Sequence, residues 1–195
     1  MNLEFLKELR ARTSAGVSDC TKALTEANGD IEKAIEILRE KGIAKAIKKS
    51  GRITNQGVVS SYIHPGAQLG VLVEVNCESD FVARTAEFRK LADEIALQIA
   101  ASDPYYISRE DVSEDVIEKE RNIYTKQLEE EGKPANVIEK IVPGKIETYY
   151  KDHCLMELPY LRDESITIKD LVKEYISKFG ENINIRRFSR FKVGE

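Results

Sequence analysis

The sequence predicts an α+β protein in two parts, a small all-helical N-terminal domain over residues 1–54 and a core of sheet and helices over residues 55–195. Three observations carry this. Apolar residues recur at helical spacing through residues 1–42, alternate as in strands from Gly57 to Val75, and return to helical spacing from Phe88 onward. A chain of 195 residues is long enough to build a substantial core in one large domain or two small ones.

The N-terminal helices are defined by Leu3, Leu6 and Leu9, then Cys20, Ala23, Leu24 and Ala27, then Ile31, Ala34, Ile35 and Leu38. Gly16 separates the first two. Gly29 and the N-cap Asp30 open the third, and Gly42 is expected to close it in the left-handed conformation. A bundle of about forty residues has a marginal core and suits docking better than catalysis. Its expected contact surface is the loop Thr13-Ser14-Ala15-Gly16-Val17, with Arg12 and Lys22 beside it. Lys45, Lys48, Lys49 and Arg52 form a basic run whose ordinary reading is a solvated helix end and linker, loosened by Gly51, Asn55 and Gly57.

Gly57 to His64 and Leu69 to Val75 read as an antiparallel hairpin turned at Pro65-Gly66, with His64 an ordinary turn residue. Phe88, Leu91, Ala92, Ile95 and Ile99 then make a helical stripe ended by Pro104, and Tyr105-Tyr106-Ile107 is expected to add a short strand. Two charged helices over about 113–150 form a helical hairpin. Pro134 suits the first turn of the second arm, and Pro143-Gly144 should kink that arm. An extended stretch from Leu155 to Leu161 leads to a helix opened by Thr167 and Asp170, which buries Leu171, Val172, Tyr175, Ile176 and Phe179 and stops at Gly180. A final strand spans Asn182 to Val193.

Composition excludes several function classes. Thirty Lys and Arg against 34 Asp and Glu leave a net charge of −4, with no general pull toward nucleic acid or anionic membrane. No apolar run approaches membrane-spanning length and the N-terminus lacks signal-peptide features, so the expected location is cytoplasmic, or that of the processed form of an organellar protein. Cys20, Cys77 and Cys154 are odd in number and widely spaced, and with His64 and His153 they match no metal-ligand spacing. Pairing Cys77 with Asp80, or His153 with Cys154, as a thiol enzyme is the weaker reading; buried free cysteines are the stronger. Arg186, Phe188, Arg190 and Lys192 interleave charge with aromatics, as in single-stranded RNA binding, but an edge strand protected by its charges is the better reading in an acidic chain.

The stretch Cys77-Glu78-Ser79-Asp80-Phe81-Val82-Ala83-Arg84 marks the change from strand to helix. Ser79 is a candidate N-cap and Asp80 is favourably placed at the positive helix end. Phe81 has two readings. In one uninterrupted helix it precedes Phe88 by seven residues and shares its buried face. If Thr85 caps a fresh helix, the turn before it is free to project Phe81 outward as a wedge for a partner.

Two motifs resemble the bacterial elongation factor Ts family. One is Arg12-Thr13-Ser14-Ala15-Gly16-Val17-Ser18-Asp19-Cys20-Thr21-Lys22-Ala23-Leu24 with Gly29-Asp30; the other is Glu74 to Arg84, similar to that family's T-D-F-V motif. The likeness continues through Gly180-Glu181-Asn182-Ile183-Asn184-Ile185-Arg186-Arg187 and covers essentially the whole chain. The resemblance implies a ubiquitin-associated-like N-terminal module, an α+β core, and guanine-nucleotide exchange on elongation factor Tu without a cofactor or catalytic residue in the factor itself. It further implies that Asp80 and Phe81, completed by Val82 and Ala83, press on the partner's G domain and dislodge its magnesium. By the same resemblance, the loop around Arg12, Gly16, Val17 and Lys22 docks the partner. Ser79 stands where threonine is usual and keeps the capping hydroxyl. Ser14 and Val17-Ser18 stand where the family has a glycine and two methionines, which makes the apolar anchor smaller. Longer members carry a second copy of the core repeat, which a homodimer would supply here. Ubiquitin or nascent-chain binding by residues 1–42 is an alternative that rests on the small bundle alone.

Overall fold

A computed structural model describes residues 3–13 and 15–195, apart from the side chains of Ile43 and Lys45; Ser14, in the expected docking loop, lies outside the described residues. The class is α+β. Among the described residues, five strands form a three-stranded sheet of order β1-β2-β5 and a two-stranded sheet of β3 and β4. Chain contacts group into two units, Met1–Ser60 with Glu74–Ala92 and Asp170–Arg186, and Ser61–Val73 with Asp93–Lys169 and Arg187–Glu195. Among the described residues, no helix is long and apolar enough to cross a membrane.

In the first unit, α1 (Leu3–Thr13), α2 (Val17–Glu26) and α3 (Ile31–Ile47) form the expected bundle. Leu6, Leu9, Cys20, Ala23, Leu24, Ala27 and Ala34 make its core. The Asp30 side chain accepts from the Lys33 amide at 3.1 Å, as an N-cap should. The expected stop at Gly42 does not occur. α3 continues to Ile47, and Gly42 instead lets its backbone approach α8 (Ile168–Phe179), where an added Cβ would lie 3.1 Å from Ser177 Oγ. Helix termination and close helix packing both select glycine, and the packing constraint wins here. On α8, Leu171, Val172 and Ile176 are buried, and Phe179 meets Phe88 edge-on with ring centroids 6.2 Å apart. Gly180 ends the helix in the left-handed conformation, with φ of 72°.

Gly57 does not loosen a linker. It lies within β1 (Gln56–Ile63), where a Cβ would run into the Val75 carbonyl oxygen and come within 2.8 Å of Asn76 Cα. Both neighbours belong to β2 (Leu69–Cys77), whose Val71, Val73, Val75 and Cys77 alternate inward as the sequence pattern requires.

In the second unit, α6 (Glu114–Glu130) and α7 (Ala135–His153) make the helical hairpin, packed through Leu128, Ile138, Val142 and Ile146. Pro134 is the N-cap rather than a first-turn residue, and α7 runs through Pro143 to His153. The strand expected at Tyr105-Tyr106-Ile107 reduces to a single bridge between Tyr106 and Cys154. The amides of Tyr105 and Tyr106 both donate to the His153 carbonyl, at 3.0 and 3.1 Å, which leaves no regular ladder. Leu155 to Leu161 is not one extended stretch either. A 3-10 turn at Leu155–Glu157 precedes β3 (Pro159–Tyr160), which pairs antiparallel with β4 (Asp163–Thr167). The polar run Asp163-Glu164-Ser165 conceals β4 because its side chains are exposed and give no apolar alternation. β5 (Ile183–Lys192) turns Ile183 and Ile185 inward, while Phe191 is exposed.

Arg109 ties this unit together. Its Nε donates to Glu157 Oε1 at 2.8 Å, and its guanidinium also lies 2.9 Å from Glu147. The hydrogen bonds from Arg109 hold the Glu157 carboxyl below its ordinary pKa.

Three outcomes are expected. Gly57→Ala should destabilise the protein by about 1–3 kcal/mol in urea unfolding because the backbone must shift. Gly51→Ala, where nothing lies within 4 Å of the new Cβ, should change stability by less than about 0.5 kcal/mol. Because the Glu157 pKa is lowered on folding, its stabilisation is present above the ordinary carboxylate pKa and is lost as pH falls through the lowered folded value. Arg109→Met should therefore cost about 1–2 kcal/mol at neutral pH, allowing for solvent around Arg109, and flatten the acid limb of the stability–pH curve.

Candidate functional site

The candidate site lies where β2 ends. Cys77 is fully buried and its thiol donates to the Ser79 carbonyl at 3.1 Å. Ser79 is extended, with φ of −123° and ψ of 154°, and caps α4 (Asp80–Ala83) by accepting from the Val82 amide at 3.4 Å. Thr85 then performs two tasks. Its hydroxyl donates to the Val82 carbonyl at 2.8 Å, closing α4, and accepts from the Phe88 amide at 3.1 Å, opening α5 (Ala86–Ser102). The helix is broken.

That break decides the orientation of Phe81. Phe88 is 0% exposed, whereas Phe81 is 81% exposed. The reading of Phe81 as core is thereby corrected: a seven-residue spacing keeps two side chains on one face only if the helix between them is continuous. Ala83 is buried and Asp80 and Val82 are both half-buried, so Phe81 is the projecting member of the four-residue helix, with the Asp80 side chain partly open to solvent beside it. Asp80 and Arg84 form an ion pair at 2.9 Å across one helical turn. Both are substantially exposed, and such pairs are worth about 0–1 kcal/mol, so the carboxylate is cheaply released to another cation.

The turn after α8 supports this helix. Glu181 receives both donors of Ser79, the amide at 3.0 Å on Oε2 and the hydroxyl at 2.6 Å on Oε1. The next residue, Asn182, is 5% exposed; its amide donates to Glu78 Oε1 at 2.6 Å, and its side chain donates to the carbonyls of Arg52 at 2.8 Å and Ser50 at 3.2 Å. Sequence reasoning missed these supports. Their available signal was a polar pair directly after the helix-stopping Gly180, but nothing local reveals a partner 102 residues away.

The N-terminal loop residues differ in state. Arg12 is not an unengaged cation: its guanidinium donates to both Glu32 oxygens, at 2.7 and 3.0 Å, raising its own pKa and lowering that of Glu32. Gly16 caps α2 with extended backbone, Val17 is half exposed, and Lys22 is exposed.

The competing chemistries lose support. Burial, with the Glu181 charge second, pushes the Cys77 thiol up to about 11, and burial likewise pushes Cys154 up to about 11, the reverse of what a thiolate nucleophile needs. On β5, Arg190 is already paired with Asp103 at 3.3 Å and Glu195 at 2.9 Å, and Lys192 with Glu195 at 2.7 Å. These cations are committed within the chain rather than arrayed for phosphates.

The geometry defines an α+β protein with a three-helix N-terminal module and an aromatic projecting from a braced turn. Residues 3–195 match the family model described as Elongation factor TS. The chain is 60% identical over 192 residues to elongation factor Ts of Carboxydothermus hydrogenoformans, covering 98% of this chain and 88% of that protein. It is also 60% identical over 195 residues to elongation factor Ts of Caldanaerobacter subterraneus subsp. tengcongensis, covering 100% of this chain and 98% of that protein. With elongation factor Ts of Fervidobacterium nodosum it shares 54% identity over 195 residues, covering 100% and 99%. The chain belongs to the elongation factor Ts family, and its role is in translation elongation.

Proposed function

We propose that this chain is a guanine-nucleotide exchange factor for elongation factor Tu, acting in the cytoplasm without a catalytic residue or cofactor of its own. The observation that carries the reading is the exposure of Phe81 on a turn braced at both ends. An aromatic wedge needs a fixed direction to displace groups in a partner, and an exposed one has no packing duty in its own chain. Phe81 enters the partner's G domain, while Asp80 exchanges its Arg84 partner for contacts that disturb the magnesium site. Val82 and Ala83 anchor the turn, and the loop of Arg12, Gly16, Val17 and Lys22 supplies a second docking contact. Since Arg12 is held by Glu32, the exposed Val17 and Lys22 carry more of that contact.

Exchange requires only that nucleotide-free partner be bound more tightly than the nucleotide-bound form. By linkage, the factor by which the protein weakens GDP equals the factor by which GDP weakens the protein's binding. Each tenfold needs about 1.4 kcal/mol, within reach of one aromatic wedged into the partner and one carboxylate.

A homodimer is the proposed assembly. The apolar side chains of Ile63, Leu72, Phe191 and Val193 are exposed around a shallow concavity of about 470 Å³, and a second copy covering it would supply the counterpart of the repeat that longer members carry.

Two measurements check these readings. Adding the protein to elongation factor Tu loaded with fluorescent GDP should accelerate release, and Phe81→Ala should cut the acceleration at least about tenfold with the thermal midpoint nearly unchanged, since the side chain removed is exposed. Light scattering should give twice the 22.1 kDa chain mass, and Phe191→Glu should give the single-chain mass.

A further inference from the structure

We infer that Glu181 is a positioning residue for the Asp80–Phe81 wedge, acting through Ser79; the inference rests on the exchange reading above. A four-residue helix cannot hold its own orientation, because helix nucleation is unfavourable and Phe81 contributes no packing. Its direction comes from its ends. At the C-terminal end Thr85 closes it, and at the N-terminal end the Ser79 hydroxyl accepts from the Val82 amide.

That hydroxyl has one proton and two lone pairs, so its usefulness as a cap depends on where the proton points. Glu181 fixes it. The Ser79 hydroxyl donates to Oε1 at 2.6 Å, which leaves the lone pairs facing the helix, while the Ser79 amide donates to Oε2 at 3.0 Å and sets the backbone entering the turn. A single carboxylate thus controls both the entry direction and the cap. Charge-assisted bonds of this kind are roughly twice as strong as neutral ones.

Glu181 is itself held. Gly180, at φ of 72°, turns the chain out of α8, and the buried Asn182 fastens the far side of the turn to the carbonyls of Ser50 and Arg52 and to Glu78. Arg52 adds a contact at 3.5 Å to the other Glu78 oxygen. The wedge is therefore aimed from the end of α8. Nothing in the T-D-F-V-like stretch itself contains this support.

The test uses the full chain in wild-type form and as Glu181→Ala, Glu181→Gln, Phe81→Ala and the Phe81→Ala/Glu181→Ala double variant. Stopped-flow release of fluorescent GDP from elongation factor Tu is followed across factor concentrations, with amide hydrogen exchange measured on the factor alone. Glu181→Ala should lower the saturated release rate about tenfold, and Glu181→Gln, which keeps an acceptor, should fall between it and wild type. In the Phe81→Ala background the same change should matter less than about twofold, because the residue acts through the wedge. The Val82 and Ala83 amides should lose protection by about tenfold in Glu181→Ala while Leu91 and Ile95 in α5 keep theirs. A wild-type release rate in Glu181→Ala, equal losses in both backgrounds, or uniform deprotection reaching α5 would each overturn the inference. If wild-type protein leaves GDP release unchanged, the exchange reading fails, and the hydrogen-exchange contrast still decides whether Glu181 positions the turn.

Discussion

One carboxylate on one serine sets the direction of the projecting turn. Glu181 takes both donors of Ser79, Ser79 caps the short helix, and the helix carries Asp80 and Phe81 outward. The rest of the surrounding structure serves this arrangement. β2 delivers the chain with Cys77 locked inward, Thr85 severs the turn from α5, and the Phe88–Phe179 contact fixes α5 against the helix whose end bears Glu181. An exposed aromatic contributes nothing to its own support, so the polar groups at the ends of the turn must provide it.

Much of this was legible in the sequence wherever the physics is local. Ser79 as a cap, the Phe88 to Ile99 stripe, and the alternation in β2 each follow from a few neighbouring residues, and each is found. Phe81 shows where periodicity stops being informative: the same spacing means core in a continuous helix and solvent in a broken one, and Thr85 decides between them. Gly42 fails for a related reason, since a stop signal and a close-packing site use the same residue, and only the position of Ser177 distinguishes them. β4 was hidden by its polar side chains, and Glu181 was hidden by distance along the chain. For Gly42 and Glu181 the missing fact was a tertiary neighbour, for Phe81 it was the local break at Thr85, and for β4 it was the absence of apolar alternation.

The arrangement also bears on how exchange would work. A factor that bound GDP-loaded and empty partner equally well would change no nucleotide affinity, however tight the complex. A rigidly aimed side chain favours one partner state over the other because it cannot move aside without disturbing its own cap. Asp80 fits the same logic: its exposed pairing with Arg84 is weak enough to give up, yet keeps the carboxylate pointing outward in the free protein.

The central claim is that this turn binds the nucleotide-free state of elongation factor Tu in preference to the GDP-bound state. The direct measurement is the ratio of the two affinities by calorimetry, for wild type and for Phe81→Ala. The account predicts a large ratio that shrinks toward unity in the variant, chiefly through weaker binding to the nucleotide-free partner. An equal ratio in the two proteins would contradict it.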